Sequence, residues 1–218
     1  MKFEEIKEKL DGYKERGLKV FTTSSFQTHS IVLLHMLSRI DKSIPVYFIH
    51  TGYHFPETLQ YRDQVTDLLG LNLRNVFSST AKINQRDTTG KLLYASDPDY
   101  CCYLNKVAPL EPILAEHDIW INGVRADQSD VRKSFEIEQK AKFGVIRFHP
   151  MLDWNGKMIY QYLNEYNIPR HPLEEKGYFS IGCEPCTRKF DLDTEGRGGR
   201  WFGLKKTECG LNTELVTK

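Results

Sequence analysis

Apolar positions recur near helical spacing at Phe3, Ile6 and Leu10, so the pattern predicts an amphipathic helix from Phe3 to Glu15. LKVFTTS (residues 18–24) then reads as a buried strand that runs into a polar loop, and the dense apolar run Ile31 to Ile40 reads as a largely buried helix. IPVYFIH (44–50) is a second short β-prone run. Pro56 can open the following helix, ETLQYRDQVTDLLG, which Gly70 ends. LRNVF, IWING and GVIRFHP supply three more strands, and Asp153 is placed to cap a helix over WNGKMIYQYLNEY. Strands and helices alternate at the spacing of crossover units. This predicts an α/β fold with a parallel sheet and helices on both faces. Ligands of such sheets bind beyond the carboxyl ends of the strands, which points to the loops Thr23–Ser30 and His50–Pro56.

Beyond Ile168 the periodicity fades into a long stretch rich in Gly, Pro, Cys and charge. Its cysteines, aromatics and arginines argue for a functional segment. The expected organisation is a main domain over residues 1–190 and a C-terminal tail over 191–218.

Charge changes little in this picture. The chain of 218 residues has 30 basic and 29 acidic side chains, a balance that gives no general reason to expect nucleic acid or an anionic membrane as partner. The opening MKFEEIKEKLDGYKERG lacks the apolar core of a secretory signal, and no run reaches bilayer-spanning length. The expected compartment is the reducing cytoplasm, where five cysteines argue for metal binding or catalysis over disulfides.

The cysteines divide into Cys101-Cys102, Cys183-x-x-Cys186 and a lone Cys209. Four thiolates fill a tetrahedral zinc site or a four-iron cluster. The tandem pair favours the cluster, because adjacent side chains reach separate atoms more easily than one ion, and a zinc clip holding the tail is the alternative. Cys209 follows Lys206 in a segment of little apolar content. Exposure and nearby cations suit a nucleophilic thiol, an incidental surface cysteine being the plainer reading. Fully extended, the segment between Cys186 and Cys209 spans roughly 75 Å at about 3.3 Å per residue, enough to carry a thiol into and out of a pocket.

Candidate anion ligands surround these cysteines in sequence. Arg197 and Arg200 lie among glycines in GRGGRW, Arg125 and Arg132 follow the IWING strand, and Lys106 follows Cys102. TTSSFQTHS offers hydroxyls and backbone amides at a helix N-terminus but lacks the glycines of a Walker loop.

Taken in order, SSF, TGYHFPET, CCxxxKxxPL, GVRxxQSxxR, GCEPCT, GRW and KTECGL resemble the assimilatory sulfonucleotide reductases, from about Val20 to Asn212. These are the thioredoxin-dependent adenylyl-sulfate (APS) and 3′-phosphoadenylyl-sulfate (PAPS) reductases. The resemblance implies an adenine-nucleotide α-hydrolase-like (PP-loop-type) fold with a modified phosphate loop at Ser24-Ser25-Phe26. It implies that Cys101, Cys102, Cys183 and Cys186 ligate a [4Fe-4S] cluster, the mark of the APS-reducing branch. Lys106, Arg197 and Arg200 match the cations around the phosphosulfate, with Arg132 a further contact, and Ser24, Ser25, Thr51 and Gly52 line the nucleotide loops. Cys209 matches the nucleophile of the mobile tail, which attacks the sulfuryl sulfur of APS and expels AMP. Thioredoxin, or glutaredoxin, then releases sulfite from the Cys209 S-sulfonate. A homo-oligomer stays open.

Three positions depart from the family pattern. Asn212 stands where histidine usually ends ECGLH, which predicts a substrate KM less dependent on pH than in a histidine-bearing relative. His50 replaces an aspartate and Asn105 an arginine, changes expected to bear on nucleotide affinity. The rival readings are PAPS specificity or dual specificity, an ATP pyrophosphatase-type ligase, for which the SGGxDS loop is missing, and a zinc-stabilised nucleic-acid-binding module.

Overall fold

A computed structural model of the chain describes residues 1–189, 199–201, 206 and 208–215. Its six strands are β1 (Val20–Thr23), β2 (Pro45–His50), β3 (Asn72–Phe77), β4 (Ile119–Ile121), β5 (Glu138–Lys140) and β6 (Ile146–Phe148). They form one sheet in the order β3-β2-β1-β4-β6-β5, parallel except for the antiparallel edge pair β5–β6. The helices are α1 (Phe3–Glu15), α2 (Thr28–Ile40), α3 (Pro56–Leu69), α4 (Leu93–Ser96), α5 (Pro98–Cys102), α6 (Ala108–Ala115), α7 (Asp130–Lys133) and α8 (Gly156–Glu165).

Period-two alternation distributes the strand side chains between two cores. Val46, Phe48, Ile119, Ile121 and Phe148 enter a large core with residues of α1, α2, α3 and α8. Phe21, Tyr47 and Trp120 enter a smaller core on the opposite face, against Leu110 and Leu114 of α6 and Leu215 near the C-terminus. Arg147, between Ile146 and Phe148 on β6, therefore points to the α6 face, with its guanidinium 4.5 Å from the Trp120 ring. It is fully buried.

The predicted strands and the first three helices form with small shifts of boundary. Helix α2 begins already at Thr28, α3 starts on Pro56, and Gly70 ends it in the left-handed conformation at φ 63°. The cap of α8 is corrected: Asn155, not Asp153, lies next to the first helical residue, and its side chain accepts the Met158 N–H at 3.0 Å. Asp153 instead pairs with the Met1 ammonium. The sequence pattern also misses β5, whose EQK has no apolar alternation.

Chain order and sheet order diverge at β1. The chain winds from β1 to β2 and β3 on one side, then crosses to β4 on the other. The carboxyl ends of β1 and β4 thus flank a topological switch point, where a crevice opens in sheets of this kind. A second feature lies between α5 and α6, where the helical path passes through a wider π-helical turn, Tyr103–Val107. Such turns are frequent at functional sites, and this one contains Lys106. The expected boundary between residues 190 and 191 falls outside the described residues. Those described beyond it are seated against the domain through Arg200, Trp201, Lys206 and the segment 208–215.

Candidate active site

A cleft of about 420 Å³ opens at the switch point. On one side the loop after β1 is tied down by Ser24, whose Oγ accepts the Phe26 N–H at 3.0 Å and bonds to Ser30 Oγ at 3.2 Å. Ser24 and Ser25 line the cleft, as do Gln27, His29 and Ser30 at the positive end of the α2 dipole. Phe26 does not. Its backbone takes φ 51°, and its ring turns into the core edge-on to Phe48 at 5.8 Å. It anchors the phosphate-type loop from beneath. Across the cleft, Gly123–Arg125 and Arg132 follow β4. Buried Arg125 is engaged by Asp127 at 2.9 Å and donates to His29 Nδ1 at 2.9 Å. Burial, with Arg125 adding to it and Asp127 opposing, lowers the His29 pKa to about 4, so that imidazole is neutral.

The four grouped cysteines meet around a second, small cavity beside the cleft. Cys101 and Cys102 end α5, where successive side chains diverge by about 100°. Among the described residues, no three Cys, His, Asp or Glu side chains converge on one point as a single metal ion requires. All four are free thiols, three of them buried. Burial pushes the Cys101 thiol up to about 12 and Cys186 to about 11, with the neighbouring sulfurs adding to both. Cys101, Cys102 and Cys186 thus resist ionisation in the bare protein, and a metal group that takes them as ligands must displace their protons. Four cysteine sulfurs around one small cavity are a donor set that suits a metal group.

Thr51 belongs to this cysteine cavity, not to the cleft. Its Oγ1 lies 3.3 Å from Cys183 Sγ and accepts the Tyr53 N–H at 3.2 Å. Gly52 takes φ 74° in the adjoining turn and lines neither cavity; its carbonyl accepts from Lys82 at 2.6 Å. Asn105 faces the cysteines as well. Its amide pairs reciprocally with Gln85 at 2.6 and 2.9 Å and stands 3.6 Å from Cys101 Sγ. His50 stacks on Phe77 with ring centroids 5.0 Å apart. Neither departure at 50 or 105 forms a wall of the cleft, so the expected effect on nucleotide affinity has no direct contact behind it.

Lys106 and Cys183 line both cavities, which makes them the partition between cysteines and cleft. Burial acts against the Lys106 charge, but the thiols of Cys183, Cys209 and Cys102 outweigh it and raise the pKa. Arg200 closes the same corner. Its Nη1 reaches the Ile181 carbonyl at 3.4 Å, its Nε the Cys186 carbonyl at 3.4 Å, and its guanidinium lies 4.6 Å from the Trp201 ring. Gly182 beneath leaves room for this guanidinium: a β-carbon there would come within 2.3 Å of Arg200 Nη2 and displace it. Arg197 lies outside the described residues.

Cys209 lines the cleft together with Lys106, Arg200 and Asn212. Burial of its thiol opposes ionisation; Lys106, the Leu211 N–H and Arg200 outweigh burial, and the pKa falls below that of an ordinary thiol. Two neighbours escaped the sequence reading. The buried Glu208 carboxylate takes Arg132 Nε at 3.0 Å and Nη2 at 2.9 Å, and buried Arg147 donates to the Leu211 carbonyl at 3.1 Å. Asn212 sits between them, giving Nδ2 to Glu208 at 3.2 Å and receiving Arg147 Nη2 at 2.9 Å.

The phosphoadenosine phosphosulfate reductase domain matches residues 19–189. The chain belongs to that reductase family. Among its curated relatives, the adenosine 5′-phosphosulfate reductase of Rhodococcus erythropolis is 38% identical over 83% of this chain and 74% of its own length. That of Halalkalibacterium halodurans is 35% identical over 95% of this chain and 93% of its own. Of solved structures, phosphoadenylyl-sulfate reductase from Candida auris, in a phosphate complex, superposes with a TM-score of 0.69 at 23% identity, covering 82% of this chain and 87% of that one. Candida glabrata FMN adenylyltransferase, in complex with FMN and an ATP analogue, reaches 0.58 at 16%, covering 92% and 66%. At these identities both likenesses speak for the fold, which is the PP-loop-type α/β fold expected from the sequence.

Proposed function

We propose that this chain reduces adenylyl sulfate to sulfite and AMP in sulfate assimilation, with Cys209 as nucleophile and thioredoxin or glutaredoxin as reductant. The carrying observation is a thiol of lowered pKa in the switch-point cleft, alongside Lys106 and Arg200. The α2 N-terminus, Ser24 and Ser25 suit the nucleotide phosphate, and Lys106 and Arg200, with Arg197 of the tail, suit the phosphosulfate oxygens.

The Cys209 thiolate attacks the sulfuryl sulfur. A sulfur–sulfur bond forms, the sulfur–oxygen bond to the phosphate breaks, and AMP leaves with that electron pair. Lys106 and Arg200 offset the charge gathering on the departing phosphate. A thioredoxin thiolate then attacks the Cys209 sulfur, and sulfite departs with the electron pair of the cleaved bond. The second thioredoxin thiol resolves the mixed disulfide and frees Cys209. The dithiol is oxidised by two electrons and sulfur(VI) is reduced to sulfur(IV).

In this reading Cys101, Cys102, Cys183 and Cys186 hold a [4Fe-4S] cluster. When bound, it supplies a structural cross-link and fixed charge beside the cleft. Thr51 and Asn105 orient the cysteine sulfurs, and Lys106 carries positive charge from that corner to the phosphosulfate. Residues 191–218 act as the tail that brings Cys209 to substrate and presents it to the reductant. The reducing cytoplasm is the compartment that suits five free thiols.

The test is sulfite release from APS and from PAPS with thioredoxin, using wild type and Cys209→Ser. Turnover of APS that disappears in the variant supports the mechanism; persistent turnover refutes it. Faster turnover of PAPS than of APS would reassign the substrate and leave the nucleophile intact.

A further inference from the structure

Family resemblance assigns Arg132 to the substrate, and nothing assigns Arg147. Their contacts lead elsewhere. The Glu208 carboxylate is saturated: Oε1 accepts Arg132 Nη2 at 2.9 Å, the Cys209 N–H at 2.9 Å and Asn212 Nδ2 at 3.2 Å. Oε2 accepts Ser129 Oγ at 2.9 Å and Arg132 Nε at 3.0 Å. The two parallel N–H···O bonds from Arg132 form a planar fork that fixes orientation as well as distance. Its remaining nitrogen, Nη1, bonds to Gln128. No nitrogen of Arg132 is left without a protein partner.

Arg147 holds the other end of the same turn. Nη1 donates to the Leu211 carbonyl at 3.1 Å, and Nη2 donates to Asn212 Oδ1 at 2.9 Å and Asn122 Oδ1 at 3.3 Å. Trp120 and Phe135 flank the guanidinium at 4.5 and 5.3 Å. A guanidinium this buried has no water to fall back on, so the tail turn is the partner that makes its burial tolerable. Asn212 links the two halves because its amide donates at one end and accepts at the other.

We propose that Arg132 and Arg147 are positioning residues that clamp the turn Glu208–Asn212, and with it Cys209, at the cleft, rather than contacts to substrate. The proposal rests on Cys209 being the nucleophile. The clamp has an anionic grip, Arg132 on Glu208, and a backbone grip, Arg147 on Leu211, one on either side of the thiol. Its consequence is a division of labour among the arginines. Arg200 serves the transferred group, and these two serve the group that attacks it.

The test uses the full-length, iron-loaded enzyme and the variants Arg132→Lys, Glu208→Gln, their double variant, and Arg147→Lys. Misplacing the nucleophile lowers kcat on the order of tenfold to a hundredfold, with the KM for adenylyl sulfate changing less than about threefold. The double variant loses little more than either single one, because the two residues act as a unit. Amide hydrogen exchange over residues 208–215 accelerates in each. If Arg147→Lys does not fold, Asn212→Leu removes the Arg147–Asn212 bond from the tail side. A KM raised about tenfold or more with kcat preserved, or unchanged exchange over 208–215, overturns the clamp. Turnover surviving in Cys209→Ser would instead remove the underlying assignment of the nucleophile.

Discussion

Cys209 owes its lowered pKa to the contest between burial, which favours the neutral thiol, and the cations Lys106 and Arg200, which favour the thiolate. The sign follows directly. The thiolate is present above a pKa lower than that of an ordinary thiol, so alkylation of Cys209 by iodoacetamide reaches its plateau at lower pH than for a model thiol. Replacing Lys106 by Met leaves the burial and removes its chief counterweight. The midpoint of the alkylation profile is expected to rise and the rate at pH 7 to fall; an unmoved midpoint would show that Lys106 does not set the thiolate. Cys209, Lys106 and Arg200 were legible from the sequence because their residue types announce thiolate and anion chemistry. Glu208 and Arg147 were not. Glu208 meets Arg132 across 76 positions of chain, a pairing no local pattern encodes, and Arg147 was concealed inside GVIRFHP, an apolar run that reads as an ordinary strand. Asn105 and His50 were flagged as departures but assigned to the nucleotide, since only the fold reveals which cavity a side chain faces.

At the scale of elements, the strand–helix alternation was readable because β1, β2 and β4 carry apolar residues on both faces of a covered sheet. The polar edge strand β5 and the short helices around Cys101 were not, having too few residues for a period to emerge. That irregular region nevertheless builds the cysteine corner. The segment 183–188 pairs with residues 199–201 through Arg188 N–H to the Gly199 carbonyl at 2.8 Å and Trp201 N–H to the Cys186 carbonyl at 3.1 Å. Gly182 leaves the space that the Arg200 guanidinium fills. Gly182→Ala is therefore expected to displace Arg200 while the sheet stays intact. Losing a charge-assisted contact of about 1.5–3 kcal/mol corresponds to roughly a tenfold to hundredfold fall in kcat/KM. Steady-state kinetics beside an unchanged far-UV CD spectrum checks it. Wild-type kinetics in that variant would mean that Arg200 moves without consequence.

For the whole molecule, the sheet places a cleft at its switch point, and the cysteine corner adjoins it through Lys106 and Cys183. Cys209, Leu211 and Asn212 of the C-terminal segment then line one side of that cleft. This arrangement separates two tasks that free cysteines could confuse. Four thiols, three of them buried, surround one corner, and the fifth is held by a turn through hydrogen bonds. The central claim is that the fifth thiol takes the sulfonate from the substrate. Its most direct test is to incubate the reduced protein with adenylyl sulfate in the absence of thioredoxin and map the product by mass spectrometry. The account predicts one added sulfonate on the peptide containing Cys209, removed when thioredoxin is supplied and absent in Cys209→Ser. Sulfite formed without that adduct, or a sulfonate found on another residue, would contradict it.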